Sequence, residues 1–211
     1  GAGESDKADK VATQLFVFIF SLSVILSLIG FLFNKKILHL IGAPQDIIGK
    51  ANSYLNIFFI GLPFMFLFFV FSALLRGVGD TKTPMKLMII SVLINIIADP
   101  FIIFGWSVFP ELGVRGAALA TISSRAIAGF VGMYLLFSGQ KGIHIKKKYL
   151  KPDLNMYKKI LRIGIPSAGE KSMAAISIVL FMGIISRFGT MAVAAYGIGH
   201  RVMSVVRMPV R

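Results

Sequence analysis

Residues 87–104 read LMIISVLINIIADPFIIF, a run apolar enough to cross a bilayer that nonetheless carries Asn95, Asp99 and Pro100. A carboxylate at membrane depth is costly unless something compensates its charge, so an intramembrane aspartate points to a site by default. Asn95 and Asp99 are four residues apart, which sets both side chains on one face of a helix. Pro100 has no N–H to give, so the carbonyl of Ile96 loses its helical partner. A carboxylate, an amide oxygen and a free carbonyl therefore gather within little more than one turn. These are hard oxygen ligands, suited to a proton or to a small cation such as Na⁺ bound at Asp99. Counted from Lys86, Asp99 lies thirteen residues in, or ~20 Å at the helical rise, which predicts a position away from the interface.

Other residues with chemical capacity stand in similar runs. Arg125 lies deep within residues 114–137 and is expected either to line a cavity or to anchor a neighbouring span. Glu170 follows Arg162 by eight residues, roughly 12 Å into its own run. A cavity-lining role and a snorkelling interfacial pair are both open to it, and Lys171 beside it points elsewhere on the helix. Phe58, Phe59, Phe64, Phe66, Phe68, Phe69 and Phe71 crowd one stretch. Their rings suit either stacking on aromatic drugs, with Phe64 and Phe68 as candidate contacts, or plain lipid-facing bulk. His200 and Arg201 carry no assigned role. There is no cysteine, hence no disulfide or thiolate metal site. No nucleophile–base pair and no His cluster with metal spacing is present, so catalysis is not expected, nor any cofactor beyond a coupling ion.

The elements that must hold these residues are membrane helices. The chain is 56% hydrophobic with a mean hydropathy of +0.80. A span needs about 20 residues to cross a hydrocarbon layer of ~30 Å. Residues 11–33, 54–75, 87–104, 114–137 and 160–185 qualify, and a sixth run begins near Ala192. They lack the alternation of barrel strands and are too long for them. The fold class is all-α and polytopic.

The +14 net charge is explained by location. Alternate loops hold thirteen basic residues on one side (Lys7, Lys10, Arg76, Lys82, Lys86 and eight between Lys141 and Arg162) and five on the other. The positive-inside rule places the richer side in the cytoplasm, so the charge reports topology and no nucleic-acid partner is expected. Lys146–Lys148 is read as a solvated loop facing anionic phospholipid. The stretch from Lys151 to Ile160 is read as a surface helix capped near Asp153. Residues 34–51, with Gly42 and Pro44, fit an interfacial helix or a broken turn, and Pro63 predicts a kink. Gly116, Ala117, Ala118, Ala120 and Thr121 are small enough for close helix approach, and Trp106 is expected at the outer interface. The polar opening GAGESDKADK reads as a loop entering a helix, and the last residues fall inside a span, so the chain is expected to be part of a longer protein.

Five stretches together resemble the multidrug and toxic compound extrusion (MATE) family, in the wider MOP exporter superfamily. They are the opening GAGESDKAD; Leu75 to Pro84 (LRGVGDTKTP); Asn95 to Pro100 followed by Pro110 to Thr121; Ile160 to Pro166; and Phe188, Gly189 and Thr190 with the run 192–195. The resemblance covers essentially the whole chain and implies a twelve-helix, two-lobe transporter of which this chain is similar to helices three to eight. It implies four first-lobe helices in residues 1–138, a cytoplasmic inter-lobe loop with a surface helix at 139–159, and the start of the second lobe at 160–211. It further implies that Asn95, Asp99 and Thr121 belong to a first-lobe cation site of the DinF-like branch, whose remaining aspartate is supplied by a helix outside these residues. Glu170 lies one turn from the position of the NorM-like branch's glutamate, which Ala174 occupies here.

The expected function is a cation-coupled antiporter, driven by Na⁺ or H⁺, that exports amphipathic organic cations by alternating access. A multi-pass protein of a prokaryotic cytoplasmic (inner) membrane is expected, contacting lipid and monomeric when complete. A lipid-linked sugar flippase of the same superfamily and a non-transporting membrane scaffold are the alternatives. These residues alone, lacking one face of the first lobe, are expected to be poorly stable in detergent.

Overall fold

The computed structural model describes residues 2–40, 45–106, 110–186, 196–199 and 203. Five long helices, and no strand among the described residues, make up the chain: α1 (Ala2–Leu40), α2 (Gln45–Gly77), α3 (Lys82–Phe104), α4 (Val114–Ser138) and α5 (Leu154–Ser186). Each is long and apolar enough to span a membrane. Two compact units are present, Gly1–Tyr157 and Lys158–Arg211.

Three elements differ from the sequence expectation. The polar opening is helical, because its Ala, Glu, Lys and Gln residues favour helix and nothing between Gly3 and Gly30 breaks it. At 39 residues, or ~58 Å, α1 exceeds the hydrocarbon layer by several turns. The stretch 34–51 is taken up by the end of α1 and the start of α2, and Gly42 and Pro44 lie outside the described residues. The surface helix after Pro152 is the first part of α5 itself, with no separate element between Leu154 and the apolar run. Asp153 caps it as expected, its carboxylate accepting from the N–H groups of Asn155 and Met156 at 3.1 and 3.3 Å. Helix α2 continues through Pro63.

In the first unit α2 is central. α1 packs antiparallel to it, where the Ser27 hydroxyl donates to the Phe59 carbonyl (2.6 Å) and the Asn34 amide donates to Asn56. α4 lies on its other side and runs parallel, with Gly129 against Phe64 and Leu67, and Gly132 against Phe71. α3 rests chiefly on α4. Leu67–Leu75 of α2, Ala128, Met133 and Leu136 of α4, and Ile143 and Ile145 beyond it form the apolar core. Met85, Met88, Ile89, Leu93, Ile96 and Ile97 of α3 are exposed, which is the surface a bilayer would cover. In the second unit Phe181 of α5 meets Tyr196 at 5.6 Å between ring centroids. Phe188, Gly189, Thr190, the run 192–195, His200 and Arg201, and with them most of the sixth span, lie outside the described residues.

Candidate functional site

Helix α3 carries the acidic site, and both of its ends are fixed. At the start, Asp80 accepts from the Thr83 amide (2.9 Å) and hydroxyl (2.6 Å). Those bonds, the hydroxyl's first, hold the Asp80 carboxyl below its ordinary value, with Lys141 a smaller contributor. At the far end Gly105 closes the helix at φ +71°, where a Cβ would sit 2.7 Å from the Glu111 nitrogen. The chain then turns back into α4, with Leu112 and Gly113 donating to the carbonyls of Ile102 and Ile103. Gly116 brings the two backbones together, since a Cβ there would stand 2.5 Å from the Ile102 carbonyl oxygen. Ala118 and Ala120 are fully buried beside it. The small-residue stretch thus permits the approach expected of it.

Asp99 stands five residues before the end of α3 at Phe104, so ~7.5 Å separates it from that terminus. It is distant from the lysines, as counted from Lys86, yet it belongs to the outer third of its helix rather than the middle. The Asn95 Nδ2 donates to Asp99 Oδ1 at 3.2 Å, and both side chains are half-buried. With Nδ2 given to Asp99, the Asn95 Oδ1 keeps its capacity to accept, and no hydrogen bond to it is found among the described residues. Pro100 offers no N–H to the Ile96 carbonyl one residue further on. Thr121 lies five residues beyond Gly116, and Ile97 five before Ile102. In an antiparallel pair this sets Thr121 at a depth between Asn95 and Asp99. Among the described residues no hydrogen bond joins Thr121 to either; its own carbonyl accepts from Ser124.

The aromatic candidates separate. Phe68 is only 4% exposed, with the Arg125 guanidinium 5.9 Å from its ring centroid and Phe71 tilted against it. Of the two rings read as candidate drug contacts, this one has its face taken by α4 within the first unit. Arg125 correspondingly anchors α4 to α2 through a cation–π contact. Phe64 is exposed and meets Phe130 at 5.9 Å. Glu170 is exposed at the middle of α5 in the second unit, sixteen residues from either end, with Lys171 exposed next to it.

A second polar assembly, at the lysine-rich end of the first unit, was not anticipated. The segment after α4 folds onto the start of α1. Asp9 accepts from the His144 amide (2.8 Å) and pairs with the Lys146 ammonium (2.7 Å). Thr13 accepts from the Lys146 amide (3.1 Å). Gln14, fully buried, donates to the carbonyls of Tyr149 (2.6 Å) and Lys151 (2.7 Å) and accepts from the Asp153 amide (2.9 Å). Asp6 holds the Lys146 and Lys148 ammoniums, each at 2.9 Å, and the Tyr149 hydroxyl. Lys10 pairs with Asp153 at 2.9 Å. The lysine run is therefore not simply solvated, as two of its three members are ion-paired. Asp9 first and then Asp6 push the Lys146 ammonium well above its usual range, and Lys10 holds Asp153 below its own. The available signal was the spacing Asp6, Asp9, Thr13 on one face of α1. Lys141 reaches Asp80 at 4.0 Å, so the three basic loops assigned to one side do meet at one end.

The MatE family pattern matches residues 1–101. The probable multidrug resistance protein YoeA of Bacillus subtilis is 35% identical over 99% of this chain and 46% of its own length. The probable multidrug resistance protein NorM of Thermotoga maritima is 35% identical over 99% and 45%. The FAD transporter of Shewanella oneidensis is 29% identical over 98% and 46%. A solved MOP superfamily transporter from Pyrococcus furiosus superposes with a TM-score of 0.87 at 25% identity, covering 99% of this chain and 46% of that one. An inward-facing MATE family transporter gives 0.79 at 25% identity, over 99% and 47%. The chain spans about half the length of the curated relatives it matches. With the all-helical, membrane-spanning fold and the Asn95–Asp99 pair in place, the chain is similar along its length to MATE family transporters of the MOP superfamily, and its first 101 residues match the family's own pattern.

Proposed function

We propose that this chain forms part of a multidrug efflux antiporter that couples inward flow of Na⁺ or H⁺ to outward movement of amphipathic organic cations. The observation that carries the reading is the Asn95–Asp99 pair on α3, next to the carbonyl freed by Pro100. In this mechanism Asp99 binds the ion from the outer side, with Asn95 bonded to it and Thr121 at the same depth on α4. Neutralising the carboxylate favours the inward-facing arrangement and releases the substrate. Only an ion with different affinity for the two arrangements can drive such a cycle. The lysine-rich end faces the cytoplasm of a bacterial cell, by the positive-inside rule, and the complete protein acts as a monomer in the inner membrane. The flippase alternative calls for cavity arginines, and Arg125 is engaged on Phe68.

The test uses the transporter carrying this sequence in proteoliposomes loaded with a fluorescent organic cation, with a Na⁺ gradient or a pH gradient imposed in turn. One gradient is expected to drive efflux and Asp99→Asn to abolish it. Because one relative is named an FAD transporter, FAD serves as the anionic counter-probe. Export of FAD with no movement of the cation would overturn the substrate class, and normal export by Asp99→Asn would overturn the site.

A further inference from the structure

Of the residues of α3 only Pro84 and Ser91 are buried. Ser91 is completely so, and its hydroxyl has no hydrogen-bond partner among the described residues. Six described helix serines are satisfied by their own backbone, and Ser27 by the Phe59 carbonyl of the neighbouring helix. Ser53, Ser167 and Ser177 donate to the carbonyl four residues back, and Ser23, Ser124 and Ser138 to the one three back. Ser91 had the same option with Leu87 and does not take it. Among the described residues two other buried side-chain atoms lack partners, Asn52 Oδ1 and Ser72 Oγ, both on α2. Neither falls in helical step with the only carboxylate of that helix, Asp46.

Ser91 does. Ser91, Asn95 and Asp99 follow one another at intervals of four residues, one stripe on one face with a rise of ~6 Å per step. The Asn95 amide is turned towards Asp99 through its nitrogen, and its oxygen accepts from none of the described residues. Read from the outer end towards the lysine-rich end, the stripe offers a carboxylate, an amide oxygen and a hydroxyl oxygen. A buried hydroxyl without a protein partner is one that water or an ion completes. Small hard cations take neutral oxygens of this kind alongside a single carboxylate.

We propose that the Ser91 hydroxyl is the inner oxygen ligand of a Na⁺ pathway. It receives the ion, directly or through a bound water, as the ion leaves Asp99 and Asn95 towards the cytoplasm. The inference rests on the antiporter reading and narrows it to Na⁺. It makes Ser91 a residue of the ion path rather than of helix packing.

The experiment measures efflux of the fluorescent cation against Na⁺ concentration in proteoliposomes, for wild type, Ser91→Ala and Ser91→Thr. Ser91→Ala is expected to raise the half-saturating Na⁺ concentration about tenfold, the scale on which ion sites respond to lost supporting groups. Ser91→Thr, which keeps the hydroxyl, stays near wild type. Thermal unfolding with and without Na⁺ supplies a second readout. Loss of an ion ligand shrinks the Na⁺-induced stabilisation, whereas loss of a packing group shifts both curves equally. Should Ser91→Ala fail to fold, Ser91→Cys keeps the volume with a sulfur that Na⁺ binds poorly, and the same shift is expected. An unchanged Na⁺ dependence in a coupled protein overturns the role of Ser91 and leaves the antiporter standing. A wild type driven by the pH gradient alone also overturns it, with the efflux reading intact. A wild type driven by neither gradient removes the antiporter reading itself.

Discussion

At the lysine-rich end of the first unit a single side chain, Gln14, makes three hydrogen bonds to the backbone of one segment. At the other end Asp99, the only carboxylate within α3, has one bond among the described residues, from Asn95. Both regions place polar groups inside an otherwise apolar bundle, but they do so to different ends. Around Gln14 the donors and acceptors are matched, and these bonds tie the segment 144–153 to the start of α1. Networks of that kind strengthen each member and tolerate the loss of none. Around Asp99 the described residues supply fewer partners than the oxygens can accept, and Ser91 has none among them. Unfilled capacity is what a site that binds and releases an ion requires, because a fully matched carboxylate would have nothing left to offer it.

The contrast predicts opposite responses to deletion. Gln14→Ala is expected to lower the stability of the protein by about 2–3 kcal/mol, since it strands two carbonyls and an N–H that water reaches poorly. Asp99→Asn keeps the shape of the side chain and is expected to change stability by less than ~1 kcal/mol while abolishing coupled transport. Thermal unfolding in detergent, beside the efflux assay, checks both. A stable Gln14→Ala protein, or an Asp99→Asn protein that unfolds early, would reverse the assignment of the two regions.

The site region is held in place by close packing rather than by polar bonds, and this can be broken separately. Gly116→Ala puts a methyl group 2.5 Å from the Ile102 carbonyl oxygen. Backbone cannot yield as a flexible side chain can, so α3 must shift away from α4. The expected cost is about 1–3 kcal/mol, with a loss of ion-driven transport because Thr121 no longer keeps its depth beside Asn95. Gly164→Ala meets nothing within 4 Å and is expected to be neutral or to stabilise by up to ~1 kcal/mol. Denaturation of the two variants side by side gives the difference.

Much of this was legible in the sequence. Hydropathy located all five described spans, and charge placement sorted the loops correctly, as the pairing of Asp80 with Lys141 shows. The Asn95–Asp99 contact followed from a spacing of four on a helix. What escaped was anything depending on partners distant in sequence. Asp9 and Gln14 sit at a helix start that reads as a polar entrance, and only the return of the chain more than 130 residues later buries them. Phe68 reads the same as its neighbouring phenylalanines in sequence, and only the approach of Arg125 from α4 shows that its ring is packed. That Ser91 has no partner among the described residues could not be read from sequence, since a serine within an apolar run ordinarily bonds back to its own helix.

The smallest expected effect concerns pH and belongs to the lysine-rich end. Asp153 is held below its ordinary value by Lys10, with the amides of Met156 and Asn155 contributing less. A carboxylate whose pKa is depressed on folding stabilises the fold above its unfolded value and loses that contribution as the pH falls through the folded one. Lys146 is raised, by Asp9 before Asp6, so its contribution is complete below the unfolded lysine value and fades only as the pH climbs through the raised one. The two limits define a plateau, from just above the ordinary carboxylate range, about pH 4, to the ordinary lysine range, about pH 10.5. Thermal unfolding followed across that range should be flat with respect to these pairs and decline at both edges. Asp153→Asn retains an N-cap for α5 but cannot pair with Lys10, so it should flatten part of the acid decline and leave the alkaline edge unchanged. An acid decline identical to that of the wild type would mean that the Lys10–Asp153 pair contributes nothing to holding the segment on α1, leaving that task to the buried Gln14 and Asp9.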